Sequence, residues 1–166
     1  MDARDFAIKA HGEQKYGDEP YIVHLDAVAA ILRGWGVTEG DLIDAAYLHD
    51  VLEDTDTGQH DLIERFGLRV THIVEGCTGR GFSRAEAMAS IYQKVATNGN
   101  AAVVKLADRI ANVEAAERGS RHAERYLSEH RAFSEALKPY VPSHFWDRYV
   151  TAISDKIAHP QPEEQP

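Results

Sequence analysis

"AAVVKLADRIANV", residues 101–113, is the stretch on which the fold turns. Apolar side chains occupy it almost all the way round, the pattern of a buried helix. Its polar residues are Lys105, Asp108, Arg109 and Asn112, spaced i, i+3, i+4 and i+7. At about 100° per residue all four fall on one face. A buried helix with a single polar stripe needs something polar to face, because unpaired buried charge is expensive. An internal salt-bridge network, with Asp108 held between Lys105 and Arg109, is one solution; a bound cation is another.

Outward from this helix, apolar residues recur at helical spacing nearly everywhere, without strong strand alternation, repeats or a glycine-rich phosphate loop. The punctuation predicts helices over 2–14, 20–34, 38–54, 58–66, 68–77, 83–97, 100–117, 120–138 and 142–158. Pro20 and Pro142 suit first helical turns. Thr38 with Asp41, and Ser83 with Glu86, resemble capping pairs. The expectation is an all-α, single-domain bundle over residues 1–158, followed by a disordered polar tail, "PQPEEQP" with its neighbours, over 159–166.

The chain of 166 residues is 43% hydrophobic and 27% charged, the balance of one ordinary globular domain. No apolar run approaches the ~20 residues of a membrane span, so no membrane partner is expected. A net charge of −9 argues against a nucleic-acid partner. A small anionic ligand remains compatible, given a metal and a few local cations. One cysteine, Cys77, and an N-terminus without a signal-type apolar stretch point to the cytoplasm.

A second stretch, "AAYLHDVLED" (45–54), carries the chemistry. Ala45, Leu48, Val51 and Leu52 form an apolar face. His49 with Glu53, and Asp50 with Asp54, form two flanking i, i+4 stripes. Acids in the last turns of a helix oppose its macrodipole at roughly 0.3–1 kcal/mol each, so a compensating cation is a natural candidate. A solvated acidic face is the plain alternative. His24 sits in the first turns of a strongly apolar helix, where a lone histidine is more often a satisfied core residue than a ligand. Together His24, His49, Asp50 and Asp108 offer two imidazoles and two carboxylates. That set suits Mn²⁺, Fe²⁺ or Zn²⁺ better than Ca²⁺, and without thiolates it is unlike a structural zinc site. Glu53 and Asp54 then stand one turn on, where they can handle protons of an attacking water.

The His49–Asp50 doublet, with its upstream histidine and downstream aspartate, resembles the HD superfamily of metal-dependent phosphohydrolases. Three blocks, "AHGEQKYGDEPYIVH" (10–24), "AAYLHDVLEDTD" (45–56) and "VVKLADRIANV" (103–113), are similar to the hydrolase domain of RelA/SpoT-type enzymes and small alarmone hydrolases. "FGLRVTHIVEGCT" (66–78) is a weaker fourth. The resemblance implies an all-helical fold, a Mn²⁺ cofactor and removal of the 3′-pyrophosphate from ppGpp or pppGpp. It implies His24, His49, Asp50 and Asp108 as metal ligands and Glu53 and Asp54 as the catalytic acids. Asn112 falls where the family meets the ribose, and Lys15 and Lys105 join it as substrate-binding residues. No synthetase segment is expected after the third block, so the chain would degrade an alarmone without making one.

Two departures bear on recognition. The first block is one residue shorter between Gln14 and Pro20 than the family's, leaving Lys15 as its cation beside Tyr16, a possible stacking surface. The third has Ala111 and Glu114 where the family carries a histidine and a basic residue. The alternatives are therefore an HD phosphohydrolase for another phosphorylated nucleotide, such as the 2′- or 3′-phosphate of NADPH, and a non-catalytic nucleotide sensor. Arg80, Arg84 and Lys94 read as a solvated helix face, with reach to an anionic substrate as the other option. Neutral imidazole ligands predict metal affinity that falls as pH drops through 6–7.

Overall fold

In the computed structural model, which describes residues 2–38 and 40–157, the stretch quoted first lies in one continuous helix at the centre of the chain. The order is α1 (Ala3–His11), a hairpin of β1 (Lys15–Tyr16) and β2 (Glu19–Pro20), α2 (Ile22–Gly34), α3 (Asp41–Leu48) and α4 (Val51–Asp54). Then come α5 (Gln59–Cys77), α6 (Arg84–Val95), α7 (Gly99–Ala115), α8 (Arg121–Leu137) and α9 (Trp146–Lys156). Two 3₁₀ turns, Lys138–Tyr140 and Ser143–Phe145, join the last two helices. The expected all-α, single-domain class holds.

Helix α7 touches α2, α3, α5, α6, α8 and α9, and every residue from Ala101 to Ala111 is buried. Leu106 and Ile110 are wholly inaccessible, and burying each such side chain contributes about 1.5–3 kcal/mol. Asn98 fixes where this helix begins. Its Oδ1 accepts the Ala101 N–H at 3.2 Å while its Nδ2 donates to the His72 carbonyl at 2.9 Å, tying α7 to α5. Helix α5 is two helices across a kink at Gly67 (φ +80°, ψ 171°), a conformation essentially reserved for glycine. The predicted break between 66 and 68 falls at this residue.

Other boundaries moved. The first helix ends at His11 instead of 14, and the chain turns into the hairpin, with Lys15 paired to Pro20 and Tyr16 to Glu19. Pro20 is therefore an edge-strand residue, where a missing N–H is tolerated, and not the first turn of α2. The predicted 38–54 helix is interrupted. The helix breaks at His49 and Asp50, and the carbonyl of Asp50 (φ −102°, ψ −6°) starts a new turn by accepting the N–H groups of Glu53 (3.0 Å) and Asp54 (2.9 Å). Glu53 and Asp54 thus occupy a single turn after a break, so the macrodipole argument drawn from one long helix loses its basis.

Helix α3 starts after Gly40 without a side-chain cap, so the Thr38–Asp41 pair is not used. Ser83 and Glu86 do form a capping box: Ser83 Oγ accepts the Glu86 N–H at 3.2 Å, and Glu86 Oε2 accepts the Ser83 N–H at 2.9 Å. Pro142 precedes a 3₁₀ turn, and α9 begins only at Trp146. The predicted tail, 159–166, lies outside the described residues. No described helix is long and apolar enough to cross a membrane.

Candidate metal centre

Two helices and one interruption bring the predicted ligands together. His24 stands in the first turn of α2, Asp108 in the middle of α7, and His49 and Asp50 form the break between α3 and α4. His49 Nε2 is 2.9 Å from Asp50 Oδ2 and 3.6 Å from Asp108 Oδ1. His24 Nε2 is 3.2 Å from Asp108 Oδ1 and 3.8 Å from Asp50 Oδ2. Ligand atoms of His24, His49 and Asp108 lie within 4.8 Å of one another, close enough to share one ion.

The donors fit a divalent transition metal. Nδ1–H of His49 donates to the Ala46 carbonyl at 2.8 Å, which fixes the tautomer and leaves Nε2 as the free lone pair. That Nε2 is fully buried and has no well-aligned hydrogen-bond partner, as is His24 Nδ1. A second layer orients the carboxylates. The Tyr21 hydroxyl donates to Asp50 Oδ2 at 2.5 Å, and Asn112 Nδ2 donates to Asp108 Oδ1 at 2.5 Å. Lys105 Nζ sits 2.8 Å from Asp108 Oδ2. Arg109 does not share Asp108, as the salt-bridge alternative required; it pairs with Glu129 of α8 at 2.9 Å.

Without an ion these groups hold one another's charges. Burial pulls the His49 pKa down, but Asp50 and Asp108 outweigh it and raise the value to about 10. Burial pushes Asp50 and Asp108 up, and His49 and Lys105 respectively overcome it, holding both below the usual carboxylate range.

A cavity of about 220 Å³ opens over these residues and reaches Glu53, Asp54, Arg84 and Met88. Glu53 Oε1 accepts the Gly79 N–H, and desolvation by the surrounding helices raises its pKa. Asp54 Oδ2 accepts from Gln14 Nε2 at 2.9 Å, and Gln14 Oε1 is in turn 2.8 Å from His11 Nδ1. Asn112 and Tyr126 line this cavity and a second one of about 380 Å³ beside it, whose wall includes Lys15, Tyr16 and His122. Tyr16 stacks on His24 (4.8 Å between ring centres), and its hydroxyl donates to Asn112 Oδ1 at 3.1 Å. Burial pushes the Tyr16 pKa up to about 12, which keeps that hydroxyl protonated as the donor.

Of the residues predicted for the site, His24, Asp50, Glu53, Asp54, Lys105, Asp108 and Asn112 line the inner cavity, His49 lies buried beside Asp50, and Lys15 lines the outer chamber. Arg84 reaches the inner cavity, contrary to the solvated-face reading. Arg80 instead pairs with Glu75 (2.8 Å), and Lys94 donates to the carbonyls of Glu75 (3.0 Å) and Thr78 (2.7 Å). Tyr21, Met88 and Tyr126 were missed. Tyr21 stands three residues before His24, a spacing that shares its helix face; nothing in the sequence marks the other two.

A family model described as HD domain matches residues 3–133. The chain is 42% identical over 118 residues to guanosine-3′,5′-bis(diphosphate) 3′-pyrophosphohydrolase of Aquifex aeolicus, covering 68% of this chain and 17% of that protein. It is 36% identical over 119 residues to guanosine-3′,5′-bis(diphosphate) 3′-pyrophosphohydrolase MESH1 of Danio rerio, covering 68% of this chain and 66% of that one. It spans only 16% of the GTP pyrophosphokinase of Streptomyces coelicolor, at 35% identity. The fold matches a solved structure, "A metazoan ortholog of SpoT hydrolyzes ppGpp and plays a role in starvation responses", with TM-score 0.80 at 22% identity over 93% of both chains. With the doublet His49–Asp50 at the helix break and its partners on α2 and α7, this chain belongs to the HD domain family.

Proposed function

We propose that this chain is a Mn²⁺-dependent hydrolase that removes the 3′-pyrophosphate of ppGpp or pppGpp, giving GDP or GTP and pyrophosphate. The observation that carries the reading is the meeting of His24, Asp50 and Asp108 with Glu53 and Asp54 in one cavity, with the buried His49 2.9 Å behind Asp50. The named 3′-pyrophosphohydrolases among its relatives support the substrate. Residues 1–158 are taken as one phosphohydrolase domain, and the single free cysteine, the buried Cys77, suits a reducing cytoplasm.

His24, His49, Asp50 and Asp108 would hold the ion, which when bound supplies Lewis-acid charge beside the reacting phosphoryl group. The remaining tasks belong to the chain's own side chains. Glu53, with its raised pKa, takes the proton of the attacking water while Gly79 N–H fixes one of its oxygens. Asp54, tethered by Gln14, relays that proton. The water oxygen adds to phosphorus, the bond from phosphorus to the 3′-oxygen breaks, and the 3′-oxygen leaves protonated as the hydroxyl of GDP or GTP. Lys105 offsets the phosphate charge, Asn112 and Tyr16 meet the ribose at the junction of the chambers, and Lys15 serves the outer one.

The test is pyrophosphate release from ppGpp with added Mn²⁺, beside a His49→Ala/Asp50→Ala control. Rapid release that the control lacks supports the assignment. Absence of release with metal still bound, and turnover of another nucleotide such as NADPH in the same panel, would replace ppGpp as substrate. Metal binding with turnover of no nucleotide would favour the sensor.

A further inference from the structure

The inner cavity contains two cations that the hydrolytic scheme leaves without a task. Arg84 extends from the first turn of α6 to its wall, and Arg109 comes to the same wall from α7. Both converge on Glu129 of α8. Arg84 places Nε and Nη2 on its two carboxylate oxygens, the second at 2.9 Å, and Arg109 Nη2 is 2.9 Å from Oε2. Two guanidinium groups thus share one carboxylate, and the cluster keeps a net positive charge.

The two arginines are held differently. Arg109 is 4% exposed and rests on the faces of Tyr126 (4.9 Å) and Phe133 (4.5 Å), and its Nη1 is buried with no hydrogen-bond partner. A buried, unpartnered guanidinium nitrogen is costly. Arg84 is 45% exposed and has Nη1 uncommitted beyond its fork on Glu129. Neither arginine lines the outer chamber, whose cation among the described residues is Lys15. Lys105, the other inner cation, is already engaged by Asp108.

We propose that Arg84 and Arg109, set by Glu129, form an anion subsite for the terminal phosphate of the diphosphate group, distal to the bond that breaks. The inference rests on the proposed hydrolytic reading and adds a specificity device to it. The residues that would hold the ion would address the phosphoryl group attached to the sugar; the arginine pair counts whether a second phosphate follows. A planar guanidinium suits this work because its fork addresses phosphate oxygens in pairs. Arg84, the exposed member, is the side chain that can turn from Glu129 to the ligand. Arg109 stays as a fixed charge.

The direct test is calorimetric titration of the Mn²⁺-loaded full chain with inorganic pyrophosphate, supplied as its Mn²⁺ complex, and separately with orthophosphate. Wild type should prefer pyrophosphate. Arg84→Ala should weaken pyrophosphate binding about tenfold while leaving orthophosphate unchanged, and Arg84→Lys should recover part of the loss; one half-exposed charge-assisted contact supports no larger effect. A merely structural clamp joining α6, α7 and α8 predicts a lower melting temperature with unchanged pyrophosphate affinity, and that result overturns the proposal. Kinetics separate it from the parent reading. Turnover of ppGpp with equal KM for Arg84→Ala and wild type leaves the hydrolase standing and removes the subsite. A tenfold rise in KM for ppGpp, absent for the analogue with a 3′-monophosphate, supports the subsite. If wild type fails to turn over ppGpp, the parent reading falls and the pyrophosphate titration still decides the subsite.

Discussion

Two chambers meet at Asn112 and Tyr126, and their walls are made of different material. Around the inner one, His24, His49 and Asp108 are buried on helices or at a helix break, and each carboxylate has a designated hydrogen-bond donor. The outer one is walled by Lys15 and Tyr16 on a two-residue strand and by the exposed His122 of α8. The difference teaches where precision is needed. Under the proposed reading, moving phosphorus demands fixed geometry, which the core supplies, and recognising a nucleoside tolerates side chains on the rim.

The sharpest way to break this contrast is to empty the inner chamber. His49→Ala or Asp108→Ala should abolish stoichiometric Mn²⁺ binding and lower kcat by more than about 10³-fold, read by metal analysis and pyrophosphate release. Full activity in either would mean that the cluster is structural. Glu53→Gln should keep the metal and still lose about 10²–10⁴-fold in kcat, which separates proton handling from metal holding. Tyr21→Phe deletes only the hydroxyl on Asp50, and metal affinity should fall about 10–100-fold with the fold intact. Equilibrium titration with Mn²⁺ is the readout, and unchanged affinity would show that Asp50 needs no orienting donor. Outside, Lys15→Ala should raise KM for ppGpp only about threefold to tenfold and spare kcat, as a rim cation should.

A smaller effect distinguishes the chambers by pH. The His49 pKa, about 10 in the folded protein against 6.5 ordinarily, is raised, so its stabilising contribution is complete below 6.5 and lost as pH climbs toward 10. The metal-free protein should therefore melt at progressively lower temperature across that range. The same proton competes with the ion, so Mn²⁺ affinity should keep increasing above the 6–7 window of an unperturbed imidazole. A plateau by pH 7.5 would show that His49 is already neutral in the empty centre.

The inner chamber was largely legible because its residues obey helical periodicity. Lys105, Asp108 and Asn112 announce themselves as the polar stripe of a helix buried on all other faces. The break at Gly67 is likewise a local property of glycine. What stayed hidden depends on chain partners far apart in sequence. The interruption at Asp50 occurs inside an unbroken helical pattern, and two-residue strands are too short to alternate, so the hairpin at 15–20 left no signature. Arg84 looked like a solvated face because its partner, Glu129, lies 45 positions on, in a helix that no motif tied to the site. Tyr126 enters both cavities for the same reason.

Helix α7, enclosed by six others, has a consequence for the timing of events in one molecule. Amides on either side of Asp108 should exchange their hydrogens with water only when the whole domain opens, whereas the hairpin, with few contacts of its own, opens locally and often. The wall of the outer chamber should therefore open and close many times within a single native lifetime while Asp108 stays in place. On the proposed reading, nucleotide exchange and metal retention would run on separate clocks.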